Sequence, residues 1–415
     1  LYELSGLNIC GFNMSSNFGV TWRKALVSLP RLVPDFVLHF TSPEGPHPII
    51  FDIPSRDSHT IPVYVFIPPH RNPHHHKPAS QGTHLEEALH LRPDPDDEKT
   101  KLPVLIDFHG GGFVLGSCQE QTPFCAKMSR ELNAVVISVD YRLGPAAQYP
   151  AAHYDAEDTV HAVMDSTKPA YTVLRKEIRQ ALEKQKRKDI VLDEERIAFS
   201  GFSSGGNLAL NMVLSVKNDP TVNKDWLSPM PWDFPNDIPV LLFYPSLDTR
   251  LLPHERPKPQ GWDAPKGFVE RWRIEAELMP TYLPAAKSGH PRASPGLADL
   301  TAKKDGESVG LHPKAKIMLI LPQFDTLHHQ SIVWVQKVHD QGRGSDLSVV
   351  EVNGVVHGWT QFPDSWLDDD SRGSKWEMFD KSKMFLETYW NPEGKDVDIE
   401  HVNGNDGEVQ MGHAS

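Results

Sequence analysis

Among the side chains of this 415-residue sequence that could do chemistry, one serine stands apart by its neighbours. Ser203 lies in Gly201-Phe202-Ser203-Ser204-Gly205-Gly206, directly after a strand-like run and directly before a helix-like one, the context that gives a G-x-S-x-G pattern meaning. A nucleophile on so sharp a turn takes strained backbone angles, and glycines at 201 and 205 remove the side chains that would clash. Its hydroxyl needs a base to take its proton. Of the 21 histidines, His357 in Val355-Val356-His357-Gly358 follows a strand-like run into a turn, whereas most others sit in polar loops or on helices. The base in turn needs an acid to orient it. Asp325 follows the run Lys316–Leu321 and precedes a helix, which it could also cap; the two roles are compatible. A second glycine cluster, His109-Gly110-Gly111-Gly112-Phe113, ends another apolar run. Backbone N–H groups of Gly110 and Gly111, with that of Ser204, are expected to receive the negative charge that acyl transfer develops on a carbonyl oxygen. The G-x-G-x-x-G and G-x-x-x-x-G-K spacings of nucleotide-binding loops are absent. Phe113, Phe202, Tyr282 and Trp359 are expected to give the substrate site an apolar lining.

The elements that must position these groups alternate. Ile49–Ile53 and Thr60–Ile67 read as a hairpin around Pro54–Ser58. Leu102–Phe108 reads as a continuous apolar run, followed by a helix-like segment to Leu132, a run at Ala134–Val139 and a helix at Pro150–Met164. Residues 169–190 form a basic helical stretch, read as a solvated face. Then come a strand at Arg196–Ser200, a helix at Ser204–Val216, and strands at Ile238–Tyr244, Lys316–Leu321 and Leu347–Val352. Helices are expected at Leu327–His339 and Lys375–Trp390. Buried strands alternating with helices imply an α/β fold with a parallel sheet covered on both faces. Ser203, Asp325 and His357 each fall after a strand, where open α/β sheets bind ligands.

This pattern divides the chain into an N-terminal cap segment (1–46), a catalytic domain (47–249 with 309–392), a cap insertion (250–308) and an acidic tail read as disordered (393–415). Residues 68–101, rich in proline, histidine and charge, read as a flexible insertion. His74, His75 and His76 lie inside it with no second shell to fix them, so no metal site is assigned.

Composition narrows the partners. With 42 basic and 55 acidic residues the formal charge is −13, against a nucleic-acid partner. Three cysteines, Cys10, Cys118 and Cys125, lack framework spacing and suit a reducing, cytoplasmic setting. The opening LYELSGLNIC lacks the features of a signal peptide, although the first residue is not Met, so secretion stays open. Asn13-Met14-Ser15 would be a glycosylation acceptor in a secreted chain. No run reaches the roughly 18 apolar residues of a membrane span. The Trp and Phe content would serve a homodimer face or a pocket equally well.

As a set, HGGGF at 109–113, VDYRLGP at 139–145, Asp193 to Ile197, GFSSGGNLA at 201–209, YPSLD at 244–248, FDTL at 324–327 and VHGW at 356–359 resemble the hormone-sensitive-lipase-like branch of the α/β-hydrolases. The resemblance runs from about Ile49 to Trp390. It implies an eight-stranded, mostly parallel sheet flanked by helices, a cap from the N-terminus and the 250–308 insertion, and no cofactor. Three departures stand out: Phe202 where the family has an acidic residue, Ser204 where it has alanine, and D-T-L-H-H-Q where it has D-P-L with a later acid. The chemistry implied is cleavage of a small-molecule carboxylic ester or lactone through an acyl-serine. An acyltransferase or cyclase of secondary metabolism would use the same triad. Plant gibberellin receptors resemble the family but lack the histidine that His357 supplies, which sets a non-catalytic receptor behind both.

Overall fold

The computed structural model describes residues 44–69, 100–219, 224–261, 274–301 and 309–391. In chain order its strands are β1 (Ile49–Pro54), β2 (Thr60–Phe66), β3 (Thr100–Phe108), β4 (Val135–Val139) and β5 (Ile190–Phe202). They continue with β6 (Leu214–Asp219), β7 (Lys224–Trp226), β8 (Ile238–Phe243), β9 (Gly310–Leu311), β10 (Ala315–Phe324) and β11 (Leu347–Val356). Eight of them form one sheet in the order β1-β2-β4-β3-β5-β8-β10-β11. The hairpin β1–β2 and the β2–β4 pair are antiparallel, and every other pair in that sheet is parallel. Most central strands are Val-, Ile- and Leu-rich and buried on both faces, as a covered parallel sheet requires.

The helices are α1 (Thr122–Leu132), α2 (Ala151–Met164), α3 (Pro169–Lys184), α4 (Ser204–Asn211), α5 (Ile274–Tyr282), α6 (Ala285–Ser288), α7 (His328–Asp340) and α8 (Asp369–Trp390). One core layer holds Val160 of α2, Leu174 of α3, Leu208 of α4 and Trp334 of α7. The other holds Phe124 and Met128 of α1 with Phe379 and Leu386 of α8. The eight-stranded α/β architecture expected from the sequence is the one observed. Of the expected segments, 1–43, 70–99 and 392–415 lie outside the described residues.

Two local readings need correction. Helix α3 is not simply a solvated face: Ala170, Leu174, Ile178 and Leu182 recur every four residues and are buried, while Lys176, Arg179, Glu183 and Lys184 are exposed. The expected helix to Val216 stops at Asn211, and the chain turns into β6, which pairs with β7 and β9 in a small antiparallel sheet. Arg292, fully buried, explains the stop. Its Nη1 donates to the carbonyl and Oδ1 of Asn211 at 2.7 and 3.2 Å, and its Nη2 to the carbonyls of Trp226 and Leu227 at 3.3 and 3.0 Å. The guanidinium thereby satisfies the Asn211 carbonyl at the end of α4, one that a helix leaves open.

Candidate active site

Ser203 sits between β5 and α4 with φ 55° and ψ −112°, a conformation outside the allowed regions for a side-chain-bearing residue. Its N–H donates to the Phe243 carbonyl at 2.9 Å, and its own carbonyl accepts from Ser246 N–H at 3.0 Å. The turn closes so tightly that a Cβ built on Gly201 would lie 2.1 Å from the carbonyl oxygen of Gly205. One on Gly205 would lie 2.0 Å from the carbonyl oxygen of Phe108. Any other residue at either position must displace backbone.

β10 and β11 bring the other two groups to the same edge of the sheet. The β10–β11 register shifts between Pro322 and Phe324, just before Asp325. His357 N–H donates to the Phe324 carbonyl at 3.2 Å, which ties the two strand ends together. The Ser203 hydroxyl lies 3.0 Å from His357 Nε2, and His357 Nδ1 lies 2.7 Å from Asp325 Oδ2. With Nδ1–H donating to the carboxylate, the Nε2 lone pair faces the Ser203 hydroxyl and can accept its proton. Asp325 is buried, and its other oxygen accepts from Leu327 N–H at 2.7 Å. One carboxylate thus orients the imidazole and holds the turn that leads into α7.

The glycine loop 109–112 stands beside this turn because β3 and β5 pair with Phe108 opposite Gly201. The N–H groups of Gly110, Gly111 and Ser204 have no hydrogen-bond partner among the described residues. Tyr141 was missed in the sequence, although VDYRLGP contains it. Its hydroxyl lies 2.8 Å from the His109 carbonyl and 3.2 Å from Ser204 Oγ. With the phenol proton directed at the carbonyl, Ser204 donates to the phenol oxygen, so the serine that stands for alanine links the elbow to the glycine loop. The His109 ring stacks on Tyr141 at 4.2 Å.

Phe113 and Tyr282 come together, stacked at 4.7 Å with planes 9° apart, with His153 6.0 Å from Phe113. Both rings are buried in the core, and burial, reinforced by the Arg292 charge, lowers the His153 pKa to about 3, so the imidazole beside them is neutral near pH 7. Tyr282 belongs to α5, inside the expected cap insertion, and its carbonyl accepts from Tyr149 N–H at 2.8 Å. Phe202 is elsewhere. It is fully buried, stacked on Phe243 at 4.2 Å and edge-on to Phe124 at 5.3 Å, which reassigns it from the substrate lining to the core under α1 and α8. Alternation along a strand is the reason, since the residue before Ser203 points to the opposite face. Trp359 is likewise buried, 5.4 Å from Tyr244, whose ring backs His357 at 4.8 Å. It supports the histidine from behind.

A second group was missed because its surroundings are so apolar. Asp107 lies inside the run read as continuous and is fully buried. It accepts from Ser200 Oγ at 2.7 Å, Ser138 Oγ at 2.9 Å and Cys125 Sγ at 3.5 Å. Burial raises its pKa to about 6 despite these donors. Among the described residues no group of three or more His, Cys, Asp or Glu is arranged to hold a metal ion; His74–His76 lie outside them.

A mixed eight-stranded sheet that turns sharply through a serine into a helix, with histidine and aspartate delivered from later strands, is the α/β-hydrolase architecture. The family described as alpha/beta hydrolase fold matches residues 105–361, and the chain belongs to the hormone-sensitive-lipase-like branch of that family. It is 37% identical over 119 residues to a 3-O-acetylpapaveroxine carboxylesterase of Papaver somniferum, a match covering 27% of this chain and 34% of the poppy protein. That match spans about a third of the relative's length. An ethyl acetate hydrolase of Pseudomonas putida is 23% identical over 309 residues, 73% of this chain and 72% of its own. In fold the chain is similar to the hyperthermophilic esterase of the archaeon Pyrobaculum calidifontis, with a TM-score of 0.55 at 20% identity over 90% of this chain and 94% of that one. No helix among the described residues is long and apolar enough to cross a membrane.

Proposed function

We propose that this chain is a serine hydrolase that cleaves carboxylic esters through an acyl-serine. The observation that carries the reading is the continuous relay from Ser203 through His357 to Asp325, with contacts of 3.0 and 2.7 Å at the carboxyl edge of the sheet. Ser203 Oγ attacks the ester carbonyl carbon as His357 Nε2 takes its proton. Asp325 stabilises the imidazolium. The N–H groups of Gly110, Gly111 and Ser204 receive the oxyanion, helped by the positive end of α4. Collapse breaks the bond to the alkoxy oxygen, which leaves with the proton from His357. Water, deprotonated by the same imidazole, then releases the acid. A lactone follows the same steps, its alcohol staying joined to the acyl group, so that water releases a single hydroxy acid. The names of the similar proteins support ester substrates. The contact of Tyr282 with Phe113 supports a cap formed by the 250–308 insertion.

Hydrolysis of p-nitrophenyl acetate, butyrate and octanoate by the native chain and by Ser203→Ala tests the proposal. The variant should lose activity by roughly 10³-fold or more. Equal turnover by both proteins would overturn the assignment of Ser203. Repeating the assay with an added alcohol separates acid release from acyl transfer.

A further inference from the structure

Gln361 closes a single 3-10 turn, Trp359–Gln361, that begins two residues after His357. Its N–H donates to the Gly358 carbonyl at 2.9 Å, and its half-buried side chain reaches back over the glycine loop. A Cβ built on Gly110 would lie 2.7 Å from Gln361 Oε1, 3.0 Å from Nε2 and 3.1 Å from the carbonyl oxygen of Phe202. The carboxamide therefore fills the space a side chain at 110 would need. It stands against the backbone that carries one of the proposed oxyanion donors, beside the residue that precedes Ser203. Gly358 leaves it room from the other side, since a Cβ there would lie 3.9 Å from Oε1. No side-chain hydrogen bond of Gln361 occurs among the described residues.

A carboxamide offers two donor hydrogens and an acceptor oxygen, and rotation of its last torsion presents either end. An open site leaves it exposed to bulk water. A substrate that displaces this water with methylene groups leaves the amide without partners, whereas one with an oxygen at that place restores a hydrogen bond. An ester whose carbonyl oxygen occupies the Gly110, Gly111 and Ser204 donors has its neighbouring atoms close to the Gly110 Cα, and so close to this amide.

We propose that Gln361 is a specificity-determining residue that hydrogen-bonds the substrate beside its reacting carbonyl and favours acyl groups with an acceptor oxygen near that carbonyl. Hydroxy-, alkoxy- and oxoacyl esters are the classes it would select. The proposal rests on the serine-esterase reading above. Gln361 supplies the kind of polar contact that a mostly apolar site uses to fix orientation.

The test compares p-nitrophenyl methoxyacetate with p-nitrophenyl butyrate, which differ by an ether oxygen in place of one methylene. Both are assayed with the native protein and with Gln361→Met, a substitution of similar length without the hydrogen-bonding groups. A fluorophosphonate label on Ser203 and a thermal melt show that the variant is folded with a competent nucleophile. The expected result is a kcat/KM that falls about five- to tenfold further for methoxyacetate than for butyrate. A methoxyacetate-to-butyrate ratio unchanged by the substitution overturns the proposal. So does an equal loss in kcat for both esters, which would make the amide an oxyanion donor instead. Labelling and turnover with an unchanged ratio sink the Gln361 role alone. Absence of both in the native protein sinks the esterase reading and this one with it.

Discussion

Asp107 places a carboxylate between three strands: its own β3, β4 through Ser138, and β5 through Ser200. Its pKa is raised from 3.8 to about 6, chiefly by burial, so the folded protein holds this proton more tightly than the unfolded chain. The resulting stabilisation is complete below about pH 4 and is lost as pH rises through 6. Against Asp107→Asn, which cannot ionise, the native protein should therefore lose about 2 kcal/mol of relative stability between pH 4 and pH 8. Urea melts at the two values measure it, and a pH-independent difference would contradict the burial argument. Nearby groups, His109, Cys125 and Tyr244, are common to both proteins, as is His153, whose lowered pKa acts in the opposite direction. Residues such as Ser203, Asp325 and His357 could be picked out in the sequence because the chemistry demands particular types just past strand ends. Asp107 and Gln361 could not. One is enclosed by apolar neighbours, and the other matters only through its reach in space over Gly110.

Elements were legible where periodicity and flanking turns agreed. The hairpin β1–β2, the central parallel strands and helices α1, α2, α7 and α8 all fall within a few residues of the expected spans, apart from the earlier starts of β5 at Ile190 and α8 at Asp369. The end of α4 was not legible, because it is set by Arg292, 81 residues further along the chain. Arg292→Met should leave carbonyls at Asn211, Trp226 and Leu227 without their donor. A loss of about 3 kcal/mol or more in unfolding free energy is expected. A variant as stable as the native chain would show that the guanidinium is incidental to the helix end. The elbow is a second contact between elements. Gly205→Ala should open the approach of α4 to β3, seen as loss of fluorophosphonate labelling or failure to fold, because its Cβ would meet the Phe108 carbonyl.

At the scale of the whole molecule, the formal charge of −13 predicts binding to an anion exchanger and no retention on heparin at neutral pH and low salt. Retention on heparin would reveal a basic face that the total conceals. The order of the strands also bears on how the molecule comes to be reactive. Ser203 enters on β5 near the middle of the sheet, whereas Asp325 and His357 arrive on β10 and β11, added at one edge. On the proposed mechanism, a growing polypeptide presents its serine turn well before it owns a base. The ribosome releases more than a hundred further residues in that interval, during which the hydroxyl stays as unreactive as any surface serine. Reactivity is switched on late, once β10 and β11 have joined the sheet. A chain stalled or clipped before β11 is therefore harmless to the esters of the cell that makes it.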